Sequence, residues 1–294
     1  MLSSQITFNS DLVDDLARQK VVLFLGAGVS ASARTRSGSH IKGWDQFLTD
    51  LSDKTEDETK KQISTLLGRG DYLLACEILK GALAERWDQE IKQEFGQIAD
   101  PSKLHEAIVS LDQRIVITTN FDKLLEASWE TKIGQSSHFP TVSTKIDANI
   151  FSLLKDHSGQ HLIKLHGTID DPDTIIFSRS EYIRMAFGSA TYATFLETML
   201  LTHTFLFIGF SMEDPAVSSL MEMYALRYPR ARPHYIFSDK SIASNLFDIN
   251  RRLRKLIAIG YDTGDSHAEL PELIAKLSGE MKKRRRELFA SMLV

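Results

Sequence analysis

Short, nearly uninterrupted apolar runs recur along the chain, and each one stops at glycine or at small polar residues. The first, Val21–Leu25 (VVLFL), runs into Gly26-Ala27-Gly28, and a short helix over 30–33 follows. Similar runs lie at Arg114–Asn120 (RIVITTN), Leu162–His166 (LIKLH) and Thr204–Phe210 (TFLFIGF). Shorter ones lie at Ile175–Phe177, His234–Phe237 and Leu256–Ile259. Runs of this kind, rich in β-branched and aromatic residues, predict strands buried on both faces of a parallel sheet. Between them the apolar spacing shifts to three and four. That period predicts helices over 10–20, from Phe121, from Ser178, from the Glu213-Asp214-Pro215 start and over 241–254. Alternating strands and helices give an α/β fold, a Rossmann-like parallel sheet with helices on both faces.

One segment breaks the alternation. From Trp44 to about Asp112 every apolar spacing is helical, which predicts an all-helical insertion on the core. Cys76 sits there among Leu74, Ala75 and Ile78, and its surroundings favour a small core residue over a nucleophile. The expected organisation is a single domain over 1–275, with the insertion at about 44–112. A basic and amphipathic helical tail follows over 276–294, with Lys282–Arg286 as a basic run. That run reads either as a solvated helix end or as an oligomer or partner contact.

Composition narrows the class. The chain is 43% hydrophobic and 25% charged with a net charge of −4, which gives no footprint for nucleic acid or an anionic membrane. No apolar run reaches bilayer length, and the first residues lack a basic and apolar leader, so a cytoplasmic location is expected. A single cysteine builds neither a disulfide nor a multi-cysteine zinc site, and no metal is expected.

The chemistry is expected at the strand ends. Glycines after the first strand permit a sharp turn and close approach of a phosphate to backbone amides, which makes Gly26, Ala27, Gly28 and Ser30 a candidate pyrophosphate cradle. By itself this signal is weak, since the third glycine of the dinucleotide fingerprint is missing. The Ser-, Gly- and Arg-rich stretch 31–43 reads as a loop over that site or as a plain connection, and its position favours the first. Thr119, Asn120 and Asp122 stand where a parallel sheet binds ligands, suited to a ribose or a water, or simply to capping the next helix. His166 carries the side chain best matched to accepting a proton near neutral pH. Gly209 and Ser211 close the fourth strand end.

The ordered set GAGVS, TTNFD, KLHG and GFS resembles the sirtuin superfamily over roughly residues 10–275. It looks most like the bacterial branch of sirtuin-like NAD hydrolases associated with anti-phage defence. The resemblance implies that Gly26, Ala27, Gly28 and Ser30 hold the NAD+ pyrophosphate and that Thr119, Asn120 and Asp122 line the nicotinamide ribose pocket. It also implies that His166 is the catalytic base and that Gly209 and Ser211 contact the adenosine side, with Asn120, His166 and Asp122 as the catalytic set. The Pro-Asp-Phe-Arg segment and the four-cysteine zinc ribbon of the deacylases are missing, which favours NAD+ hydrolysis without a metal. A protein deacylase or ADP-ribosyltransferase and a non-catalytic NAD or ADP-ribose sensor are the alternatives. A toxic hydrolase must be held silent, so the resemblance implies an abortive-infection effector regulated by homo-oligomerisation or by a separate protein. The partner classes it suggests are a ring ATPase, an Argonaute-type module or a nucleotide-sensing protein.

Overall fold

In the computed structural model, residues 7–35, 38–39, 41–96, 99–133, 139–155, 159–212, 214–242 and 244–292 are described. Residues 36, 37 and 40 of the 31–43 loop, Glu213 and Leu293 of the tail lie outside them.

The chain enters through α1 (Ser10–Ala17), capped by the Asn9 side chain, and then forms β1 (Val21–Leu25) and α2 (Ala27–Ala31). β2 (Arg34–Thr35) pairs antiparallel with β3 (Ala99–Asp100), bracketing α3 (Trp44–Ser52), α4 (Asp57–Leu67), α5 (Tyr72–Leu83) and α6 (Arg86–Phe95). After α7 (Lys103–Ser110) come β4 (Ile115–Thr118), α8 (Leu124–Ile133), β5 (Thr141–Ser143) and β6 (His161–Lys164). The second half holds α9 (Arg179–Ala186), α10 (Ala190–Thr202), β7 (Thr204–Ile208), α11 (Pro215–Arg227), β8 (His234–Asp239) and α12 (Ser244–Arg254). It ends with β9 (Leu256–Tyr261), the short α13 (Gly264–His267) and α14 (Glu269–Met292).

Seven strands form one parallel sheet in the order β5-β6-β4-β1-β7-β8-β9. The sheet is doubly wound. Alternate residues of β1 feed two separate cores: Val21, Leu23 and Leu25 join α1, α7 and α14, whereas Val22 and Phe24 join α10 and α11. Both faces are therefore apolar, which is why the strands read as continuous hydrophobic runs. A third cluster joins α3, α4, α5 and α6 through Phe47, Leu51, Ile63, Cys76, Leu79, Trp87 and Ile91. Cys76 is fully buried there, and burial pushes its thiol pKa up. α7 packs instead into the first sheet-side core through Leu104, Ile108 and Val109.

One local expectation is corrected, and one strand is new. Ile175–Phe177 is not a strand: it follows a 3-10 turn, and Ile175 and Phe177 are buried in the third cluster rather than paired in a ladder. β5, an exposed edge strand of three residues, carries too little apolar signal to be read from sequence. α14 runs unbroken from Glu269 and buries Leu270, Leu273, Ile274, Leu277 and Met281 in the core. Within its basic run, Arg284 bonds Asp14 at 2.5 Å, and Arg285 bonds Asp112 at 2.6 Å and the carbonyl of Ala17 at 3.2 Å. These two cations dock the helix rather than standing free.

Candidate functional site

β1 lies at the centre of the sheet, and the chain turns to β4 on one side and to β7 on the other. A doubly wound sheet opens its ligand crevice at such a switch point, outside the carboxyl ends of the strands. All four sequence motifs begin at that edge.

The turn after β1 is locked to the turn after β7. Gly26 N donates to the Ile208 carbonyl and Gly28 N to the Gly209 carbonyl, both at 3.0 Å. A Cβ on Gly26 would lie 2.5 Å from the Gly209 oxygen, and one on Gly28 would lie 3.0 Å from Gly209 Cα. Gly209 itself has φ +61°, a conformation that glycine adopts without strain. Backbone-to-backbone packing thus explains three of these glycines, while Ala27 and Gly28 remain exposed at the crevice. Ser211 follows at the same edge and is also exposed.

Asn120 and Asp122 tie the end of β4 to this turn. The Asn120 side chain, buried, donates through Nδ2 to the Gly26 carbonyl at 2.9 Å, and its backbone N–H donates to Thr118 Oγ1 at 3.0 Å. The Ser30 hydroxyl donates to Asp122 Oδ2, while Asp122 Oδ1 accepts from Leu124 N at 2.9 Å and caps α8. Thr119, half-buried, joins the sheet through its backbone N–H to the Leu25 carbonyl at 3.2 Å. Between the two polar residues, the Phe121 ring meets Phe95 edge-on and Phe177 at a tilt, with centroids 4.8 and 4.9 Å away. The helical cluster therefore anchors the Asn120–Asp122 loop from behind.

His166 leaves the sheet just beyond β6. Gly167, at φ +82°, turns the chain so tightly that a Cβ there would lie 2.1 Å from the Thr174 oxygen. The His166 ring joins none of the bonds above. Its Nε2 is buried without a hydrogen-bond partner and lies 3.9 Å from Asp214 Oδ2, and the Tyr182 ring stands edge-on with its centroid 6.1 Å away. Burial pushes the His166 pKa down, and the Asp214 charge works in the opposite direction. Asp214 is held in turn: Tyr182 OH donates to its Oδ1 at 2.6 Å, and Val217 N donates to the same oxygen at 2.9 Å as the cap of α11. Among the described residues no three His, Cys, Asp or Glu side chains cluster to hold a metal ion.

Residues 114–258 match the family model of the SIR2-like domain. That match takes in the second, third and fourth motifs and leaves the glycine turn upstream of it. A curated relative from Enterococcus faecium, NAD(+) hydrolase ThsA, is 28% identical over 79% of this chain and 46% of its own length. Defense-associated sirtuin 2 from Bacillus subtilis is 22% identical over 80% of this chain and 22% of its own. The chain spans less than half the length of these relatives. A solved structure described as a basis for the mechanism and regulation of Sir2 enzymes aligns over 97% of this chain at 17% identity, with a TM-score of 0.49.

Three further residues at this edge are not among the candidates that the sequence offers. Lys164, 1% exposed, donates to the Asp122 carbonyl and to Glu126 Oε1 at 2.8 Å, stitching β6 to the start of α8. Its signal was a lysine inside an otherwise apolar run. Asp214 was legible only as a helix start before Pro215. His105, buried with its Nδ1 accepting from Ser102 N at 3.2 Å, lies within reach of the Asp122 charge, and burial holds its pKa at about 4.

Proposed function

We propose that this chain is an NAD+ glycohydrolase, which cleaves the bond between nicotinamide and ribose to give nicotinamide and ADP-ribose. The observation that carries the reading is the convergence of Gly26–Ser30, Asn120–Asp122 and His166 on one sheet edge at the switch point. The names of the curated relatives, an NAD(+) hydrolase and a defence-associated sirtuin, point to the same chemistry.

The scissile bond breaks through an oxocarbenium-like transition state, and nicotinamide leaves neutral. The site must therefore hold the ribose, stabilise positive charge near C1′ and deliver water. The exposed Ala27–Gly28 turn, with Ser30 behind it, receives the pyrophosphate, and Gly209 and Ser211 face the adenosine side. Asn120 spends its amide donor on Gly26, which leaves its Oδ1 to accept from the ribose or from the attacking water. Asp122, fixed by Ser30 and Leu124, supplies negative charge beside the ribose, with Thr119 alongside. His166 accepts a proton through a ribose hydroxyl. Water adds to C1′ as nicotinamide departs, and one proton is released overall.

In its setting the enzyme is an effector of anti-phage defence in the bacterial cytoplasm, held silent until self-assembly or a separate partner protein activates it. The experiment is turnover in ¹⁸O-labelled water with nicotinamide and ADP-ribose resolved. Label at C1′ of ADP-ribose, unaffected by an added acyl-lysine peptide, is expected. Turnover that depends on the peptide contradicts the hydrolase reading.

A further inference from the structure

We propose that Asp214 is the positioning residue of His166: its carboxylate fixes the imidazole with the proton on Nε2 and turns the Nδ1 lone pair toward the ribose. The inference deepens the proposed hydrolysis and rests on it for its activity readout, but not for its spectroscopic one.

The geometry has three parts. First, Nε2 is the sealed nitrogen of the ring, buried and without a hydrogen-bond partner, whereas Nδ1 is not sealed in this way. A buried N–H donor without a partner is costly, and the Asp214 carboxylate presents Oδ2 as an acceptor 3.9 Å away. Catalytic hydrogen bonds of this kind are often long without substrate and tighten when it binds.

Second, Asp214 is held in place by groups that do not use Oδ2. Tyr182 OH and Val217 N both donate to Oδ1. Ala216 N donates to Tyr182 OH at 2.8 Å, so the phenol proton is committed to the carboxylate. Oδ2 is thereby left aimed at the imidazole. A helix cap alone needs only the Val217 bond and does not account for a buried tyrosine on the same oxygen.

Third, the charges agree. The titratable groups facing His166 are Asp214 from the turn before α11 and Tyr182 from α9, with Tyr192 of α10 behind them. Burial, reinforced by Asp214, pushes the pKa of both tyrosines up, so they stay neutral. Asp214 is then the one full charge of this set, and it opposes the loss of basicity that burial imposes on His166. When Nδ1 takes the hydroxyl proton, the ring becomes an imidazolium carrying N–H on both nitrogens, with Asp214 opposite the Nε2–H. The carboxylate keeps no proton of its own at any stage. A carboxylate that orients a histidine in this manner acts on tautomer and charge rather than on the substrate.

The test is ¹⁵N NMR of histidine side chains in the full chain, with His166→Ala assigning the signal. The neutral ring is expected as the Nε2–H tautomer, and the Nδ1–H tautomer would overturn the proposal without any Asp214 variant. Asp214→Asn and Asp214→Ser both retain an oxygen that caps α11. In each, the His166 titration midpoint is expected to move to lower pH. NAD+ turnover should fall roughly 10- to 100-fold in kcat with little change in KM, and its acidic limb should shift the same way. An unchanged midpoint and tautomer in the variants would reduce Asp214 to a helix cap. If the wild-type chain hydrolyses no NAD+, the hydrolase reading fails while the NMR still decides the pair.

Discussion

The side-chain amide of Asn120 donates to the backbone carbonyl of Gly26 across 2.9 Å, fastening the end of β4 to the turn that follows β1. One residue thus serves two ends. Its Nδ2 satisfies a buried carbonyl, and its Oδ1 is left for the reacting ribose. Asn120→Ala should therefore lower both properties: NAD+ turnover by about 100-fold, and stability by about 0.5–1.5 kcal/mol for the one hydrogen bond lost, since Val29 N still donates to the Gly26 carbonyl at 3.0 Å. Turnover assays and urea unfolding read the two effects separately.

The glycine turn makes a sharper structural demand. Because a Cβ at Gly26 would lie 2.5 Å from the Gly209 oxygen, backbone must move to admit it. Gly26→Ala is expected to cost at least about 2 kcal/mol and to abolish NAD+ binding by calorimetry. Gly81→Ala, on the exposed side of α5 with no atom within 4 Å of its Cβ, is the control and should be neutral or stabilising.

The Lys164–Glu126 pair is buried at 1% and 8% side-chain exposure. Removing one partner strands the other, so Lys164→Met should cost about 3–5 kcal/mol. The double variant Lys164→Met/Glu126→Leu should recover most of that stability. It should not recover turnover, because the Asp122 carbonyl has also lost its lysine donor. Urea midpoints and NAD+ assays on the three proteins check both statements.

Much of this frame could be read from sequence, for a physical reason. Strands buried on both faces must be apolar throughout, so Val21–Leu25, Ile115–Thr118 and Thr204–Ile208 announced themselves, and polar residues at their ends marked the crevice. Ile175–Phe177 carried the same apolar signal but spends it against the helices around Phe47 and Trp87, a distinction that only tertiary packing makes. The His166–Asp214 approach was not legible, because it depends on how the turn after β6 meets the turn after β7 across the sheet. Lys164 was visible as an anomaly, but its partner sits on α8, and nothing in the spacing connects the two. The glycines were legible as a tight turn. That their first duty is to admit Gly209 required coordinates.

Acid should unfold the protein through its buried histidines. Burial holds His105 at about 4 and His234 at about 3, and His234 Nδ1 accepts from Phe205 N at 3.0 Å, a bond that only the neutral ring makes. Both folded values lie below the unfolded value of about 6.5. The unfolded chain therefore takes up protons first as pH falls, and stability is complete above about 6.5 and declines from there toward 4. Urea midpoints should be flat from pH 8 to 7 and fall between 6.5 and 5. His234→Asn, whose Oδ1 can replace the Nδ1 acceptor, should flatten that slope.

NAD+ consumption by the purified chain beside His166→Ala, with nicotinamide, ADP-ribose and cyclic products resolved, decides whether the strand-end residues hydrolyse NAD+. Nicotinamide and ADP-ribose in equal amounts are expected from the wild type, with a loss of at least about 100-fold in the variant. Equal turnover by both proteins would contradict the assignment of His166. The absence of NAD+ binding by calorimetry as well as of turnover would contradict the hydrolase itself.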